Sequence, residues 1–209
     1  HPQGPLMIVA GAGTGKTSVI TRRIAYLIES GKAKPWQILA LTFTDKAAQE
    51  MQERVDMLLP YGQSEARIST FHSFGDRLLR EYAVELGLDP EFQVLSEAEQ
   101  VIFLRKHLLE LPLKRFRPLG NPTGYLHALL RHISKLKDEL IDPVTYESWA
   151  RGLVAQADKS NHRGWQDQAQ AQLELALCYG RFQELSLAAG FLDYGDQIYL
   201  TLGLLRERP

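Results

Sequence analysis

Leu6-Met7-Ile8-Val9-Ala10-Gly11-Ala12-Gly13-Thr14-Gly15-Lys16-Thr17 joins a short apolar run to a glycine-rich turn ending in Lys-Thr. Apolar residues without polar alternation predict a strand buried on both faces. The small residues that follow let backbone N–H groups close around phosphate oxygens, and a helix starting there would aim its positive end at the same point. The stretch therefore predicts a phosphate-binding loop for a nucleoside triphosphate. In it Lys16 meets the β- and γ-phosphates and the Thr17 hydroxyl meets Mg²⁺. The glycine that usually opens such a loop is Ala10 here. Taken alone, the loop does not choose between a kinase, a transporter ATPase, a GTPase and a motor.

Working outward, Ile20, Ile24, Leu27 and Ile28 recur at helical spacing and Gly31 supplies a stop, which predicts a helix over residues 16–30. Residues 38–43 read as a second apolar strand. Thr44 or Asp45 caps a helix carrying Ala47, Met51, Val55 and Leu59. A brief strand at 68–70, a helix running to Gly87 and a short strand at 92–95 follow. Residues 1–95 thus alternate strand and helix, the pattern of a parallel sheet with helices on both faces. Beyond Leu95, Ser96 and Glu99 have capping-box spacing, and helices are expected over 97–110, 123–139, 143–157 and 165–189. The expected organisation is an α/β domain begun by residues 1–95, an all-α subdomain over 96–190 and a return segment over 191–209.

The chain has 209 residues, is 44% hydrophobic and 23% charged, and carries a formal net charge of −1. It can bury a sizeable core, and no apolar run is long enough to span a bilayer, so a cytoplasmic protein without membrane contact is expected. A single cysteine, Cys178, excludes an internal disulfide and a cysteine-rich zinc site; its apolar neighbours predict a packed thiol. The absence of an initial methionine before His1 suggests a start inside a longer polypeptide.

Two further stretches carry chemistry. Thr42-Phe43-Thr44 closes the second strand, where open α/β sheets place ligands. Phe43 could stack on an unstacked base while the threonines hydrogen-bond its backbone; the plainer alternative is a buried core phenylalanine beside a solvated Lys46. Thr70-Phe71-His72-Ser73 ends the third strand at a helix start. It suits a phosphate-backbone contact through Thr70 and His72 or, equally, a helix cap with Phe71 and Phe74 in the core.

Ala-Gly-Ala-Gly-Thr-Gly-Lys-Thr at 10–17, Leu-Thr-Phe-Thr-Asp-Lys-Ala-Ala-Gln-Glu-Met at 41–51 and Ser-Thr-Phe-His-Ser at 69–73 resemble, in order and spacing, the first motifs of the UvrD/Rep/PcrA superfamily 1 DNA helicases. Fainter similarity continues at 134–140 and at Leu192-Asp193-Tyr194-Gly195-Asp196. The resemblance implies a P-loop NTPase (RecA-like) domain interrupted by a helical insertion, in an ATP-dependent DNA helicase of 3′-to-5′ polarity acting in repair or recombination. It implies that Gly11, Ala12, Gly13, Thr14, Gly15, Lys16, Thr17 and Ser18 hold ATP, that Lys16 and Thr17 serve catalysis, and that Thr17 takes Mg²⁺. Thr42, Phe43, Thr44, Thr70 and His72 would then line a track for single-stranded DNA, with forked DNA as substrate.

Three positions depart from the family pattern: Asp45 for an asparagine, Ser18 where several members carry arginine, and Gly195 for the middle acid of an Asp-Phe-Asp-Asp-Leu stretch. No Asp-Glu-x-Gln-Asp occurs in the chain. The expectation is an N-terminal helicase fragment that needs the remainder of its parent, including a second RecA-like domain, to turn over ATP. The competing readings are the helicase subunit of a helicase–nuclease and, from another class, a P-loop small-molecule kinase or binding-only NTPase module.

Between residues 105 and 137 the bases Arg105, Lys106, Lys114, Arg115, Arg117, Arg131, Lys135 and Lys137 face one acid, Glu110. This segment reads either as a duplex-phosphate contact or as a solvated face balanced by Asp138, Glu139 and Asp142.

Overall fold

Helices begin where the sequence places oxygen-bearing caps. Thr44 Oγ1 accepts from Ala47 N–H at 3.2 Å, Ser96 and Glu99 bond reciprocally, and Asp142 Oδ1 accepts from Thr145 N–H at 2.8 Å. The computed structural model describes residues 4–11, 13–60, 66–116, 123–160 and 162–207. They form two compact units, His1–Phe74 and Gly75–Pro209.

In the first unit the order is α1 (Lys16–Glu29), a 3-10 turn (Pro35–Gln37), β1 (Leu39–Thr42), α2 (Asp45–Leu58), β2 (Arg67–Thr70) and the opening of α3 (Phe71–Glu81). β1 and β2 pair in parallel, Leu39 opposite Arg67 and Thr42 opposite Thr70. Met51, Val55 and Leu59, spaced by four, bury one face of α2 against Ile24, Ala25 and Ala66. Loss of the Val55 side chain beyond Cβ would cost about 2–3 kcal/mol here.

The apolar run at 6–10 departs from its expected form. It belongs to neither strand pair, and Leu6, Met7, Ile8 and Val9 are all exposed. Leu6 and Ile8 line a groove of about 390 Å³ with Val19, Ile20, Ile24, Ile38 and Met51. A strand buried on both faces needs neighbours along both edges, and this run has none among the described residues.

The second unit contains most of α3, then β3 (Gln93–Leu95), α4 (Glu97–Lys106), a 3-10 turn (Leu108–Glu110), α5 (Thr123–Asp138), α6 (Pro143–Ala157), α7 (Arg163–Ala188), β4 (Phe191–Asp193) and α8 (Tyr194–Glu207). β3 pairs in parallel with β4, Leu95 opposite Asp193. The chain is therefore mixed α/β, and its described residues form two two-stranded parallel sheets where the alternation of residues 1–95 predicted one. Among the described residues no strand lies between β3 and β4, and helices make up most of that segment. The core of these helices gathers Leu104, Leu126, Leu129, Ile133, Cys178 and Phe182. Cys178 is the packed thiol expected, its pKa pushed up to about 12 by burial. Among the described residues no helix is long and apolar enough to cross a membrane.

Candidate nucleotide and nucleic-acid site

The glycines of the 11–15 turn have different jobs. Gly13 and Gly15 adopt φ of 74° and 90°, left-handed backbone that a side chain would strain, whereas Gly11 does not. Thr14 Oγ1 donates to Gly11 O at 2.8 Å, which closes the turn. Gly15 caps α1 without a side-chain oxygen, and the first turn of α1 holds no acid, so its positive end stays open to an anion. Lys16 Nζ folds back onto the carbonyls of Ala10 (2.8 Å) and Gly11 (2.5 Å). Thr17 is half-buried and Ser18 exposed. Ala12 lies outside the described residues. The chemistry of these groups suits the phosphates of a nucleotide and, through the Thr17 hydroxyl, its Mg²⁺.

The carboxyl ends of β1 and β2 carry the second group of residues. Phe43 is 87% exposed, which removes the core reading of that ring. Thr42 is half-buried, and Thr44 is occupied as the cap of α2. Thr70 is buried; its Oγ1 accepts from Ser73 N–H at 3.1 Å and lies 2.8 Å from Ser73 Oγ. It thus behaves as the cap of α3, one of its two sequence readings. His72 is exposed on the first turn.

Phe71, taken from the sequence only as a core residue, is 53% exposed. Thr42 and Thr70 are register partners that end β1 and β2, and Phe43 and Phe71 are the residues that follow them. Both rings are thus exposed just past the carboxyl ends of paired strands. Only the register could have revealed this.

The basic segment in the second unit is less uniform than its sequence. Arg115 is bound to Asp167, with Nη1 donating to its carbonyl and Nη2 to its carboxylate, both at 2.6 Å. His107 pairs with Glu110 and His127 with Glu97. Arg117 lies outside the described residues, while Arg105, Lys106, Lys114, Arg131 and Lys135 are exposed.

Lys137 is 3% exposed and bonds both Asp193 and Asp196, so the two fainter motif stretches meet. Asp193 Oδ1 accepts from Asp196 N–H while Asp196 Oδ2 accepts from Asp193 N–H. A Cβ on Gly195 would come within 3.0 Å of Lys137 Cδ, which accounts for glycine at this place in the chain.

The chain matches the family model described as UvrD/REP helicase N-terminal domain over residues 1–209. It is 36% identical over 208 residues to the ATP-dependent DNA helicase PcrA of Bacillus subtilis, covering 99% of this chain and 25% of that protein. To the ATP-dependent DNA helicase UvrD1 of Mycobacterium tuberculosis it is 39% identical over 212 residues, covering 100% of this chain and 25% of the relative. The chain thus spans about a quarter of the length of these relatives.

Proposed function

The chain belongs to the UvrD/REP helicase N-terminal domain family, and from that premise we propose that it supplies the ATP-binding and single-stranded-DNA-binding half of an ATP-driven DNA helicase. The observation that carries the reading is an exposed aromatic, Phe43, at a parallel strand end in the same unit as an open phosphate loop. A small-molecule kinase has use for the loop and none for exposed aromatics, Phe43 and Phe71, just past the ends of two paired strands.

In this reading residues 11–18 hold the triphosphate, Lys16 neutralises its terminal phosphates and Thr17 gives its hydroxyl to Mg²⁺. ATP with Mg²⁺ supplies the phosphoryl bond whose hydrolysis drives movement. Phe43 and Phe71 stack on bases, His72 contacts the strand, and Thr70 positions His72 through the cap of α3. Thr42 and Thr44 hold Phe43 at the strand end.

The fold is RecA-like, residues 1–95 begin it, and 96–190 form an all-α insertion returning at 191–209. Support for the insertion comes from β3 and β4, which pair in register although a run of helices separates them. Forked DNA met in repair or recombination is the substrate class, and hydrolysis requires the rest of the parent protein, with its second RecA-like domain.

The test is ATP turnover by the full-length protein with and without single-stranded DNA. Stimulation by DNA, lost in Lys16→Ala, is expected. A rate indifferent to DNA would overturn the reading.

A further inference from the structure

Tyr26, near the end of α1, sits beneath two cations. Arg23 Cζ lies 5.6 Å and Lys32 Nζ 4.6 Å from its ring centroid, and Lys32 also donates to the phenol oxygen at 2.6 Å. That hydrogen bond, with the ammonium charge behind it, holds the phenol below its ordinary pKa. Ten residues on, Lys34 Nζ lies 5.0 Å from the ring of Trp36. Tyr26 is 46% and Trp36 58% exposed.

Between residues 22 and 37 the cations Arg22, Arg23, Lys32 and Lys34 face a single acid, Glu29. Among the described residues no carboxylate lies within ion-pair reach of any of the four.

This surface does not include the residues of the site already described. α1 begins at Lys16, so Arg23 and Tyr26 lie about 10 and about 15 Å further along its axis. Trp36 precedes β1 and Phe43 follows it, so the two aromatics flank opposite ends of a four-residue strand about 13 Å long.

An acidic peptide would satisfy the cations and leave the rings idle, and an apolar peptide would do the reverse. Single-stranded nucleic acid offers a phosphate and a base face at every nucleotide. It matches the order Arg23, Tyr26, Lys32, Lys34, Trp36 with both kinds of contact. The amines already rest on the rings, so few side-chain rotamers remain to be fixed on binding. We infer that Arg23, Tyr26, Lys32, Lys34 and Trp36 form a second binding surface for single-stranded nucleic acid, separate from the Phe43 edge. The inference rests on the DNA-directed reading above.

The experiment compares oligothymidylates of 6 and 20 nucleotides on the full-length protein, using wild type, Lys32→Glu/Lys34→Glu, Trp36→Ala and Phe43→Ala. Both variants in the new surface are expected to weaken the 20-mer, by roughly tenfold for the charge reversals and at least about fivefold for Trp36→Ala, and to spare the 6-mer. Charge reversal is also expected to flatten the salt dependence of 20-mer binding by about 1.4 in log–log slope, for two phosphates. Irradiation of a 5-iodouracil 20-mer should join it to the peptide carrying Tyr26 or Trp36.

If the 20-mer binds these variants as it binds wild type while Phe43→Ala loses affinity, the second surface is refuted and the DNA reading stands. If no variant, Phe43→Ala included, changes DNA binding, both fall. Loss of binding to an acidic peptide with DNA binding intact would assign the surface to a protein partner and overturn the inference.

Discussion

Lys137 Nζ donates to Asp193 Oδ2 at 2.7 Å across 56 residues of sequence, in a site closed to solvent. The same ammonium lies 2.7 Å from Asp196 Oδ1, so one cation serves two carboxylates and joins α5 to the β4–α8 turn.

Removing that cation strands two buried anions. Lys137→Met is expected to destabilise by about 3–5 kcal/mol in urea unfolding. Burial pushes the Asp196 carboxyl above its ordinary pKa, Lys137 opposes this, and the neighbouring Asp193 adds to it. A raised native value means that the folded state keeps a proton where the unfolded chain has lost it. Stability contributed by Asp196 is therefore greatest below the ordinary carboxylate range and declines as pH rises through the native value. Wild type measured against Asp196→Asn should lose ground over that window. A difference that grows with pH would contradict the arrangement.

Glu174 has the opposite signature. Burial pushes its pKa up, but N–H groups of Phe116, Arg115 and Lys114, at 3.0, 2.8 and 2.9 Å, outweigh burial and leave it lowered. Its contribution is complete above the ordinary glutamate value and is lost as pH falls through the native one. Glu174→Gln is expected to cost roughly 1–3 kcal/mol near neutrality. That gap should shrink in acid, and trypsin should cut faster at Lys114 and Arg115.

Gly75 is held to glycine by a neighbour. A Cβ there would lie 2.7 Å from Thr201 Oγ1, a buried hydroxyl without a hydrogen-bond partner. Gly75→Ala gains about 1 kcal/mol of helix propensity but incurs about 1–3 kcal/mol of overpacking, so net destabilisation is expected. Gly75→Ala/Thr201→Ala removes the clash and forfeits no hydrogen bond. The double variant should be at least as stable as wild type, measured by thermal unfolding.

Phe43 packs against little, so Phe43→Ala should change stability by less than about 0.5 kcal/mol. In the proposed role it should weaken single-stranded DNA by about 1–3 kcal/mol, read by fluorescence anisotropy. Equal losses of stability and binding would return the ring to a structural role.

Local signals carried much of this fold. Thr44 and Ser96 marked helix starts because a side-chain oxygen next to a periodic apolar stripe serves one purpose. β4 and α8 went unread: a three-residue strand has no measurable period, and its partner β3 is nearly a hundred residues away. That Phe43 and Phe71 both follow the ends of paired strands depends on register, which composition does not encode. The run at 6–10 shows the reverse failure, since its apolar residues signalled burial without naming the surface that would supply it.

The return of Lys16 to the carbonyls of Ala10 and Gly11 gives the loop a threshold. Its charge is already partly screened by two dipoles, so an arriving ligand must outcompete them before the amine turns outward. In the proposed role a monoanion gains little from that exchange, and a polyphosphate gains far more. The loop thus selects by charge density before it selects by shape.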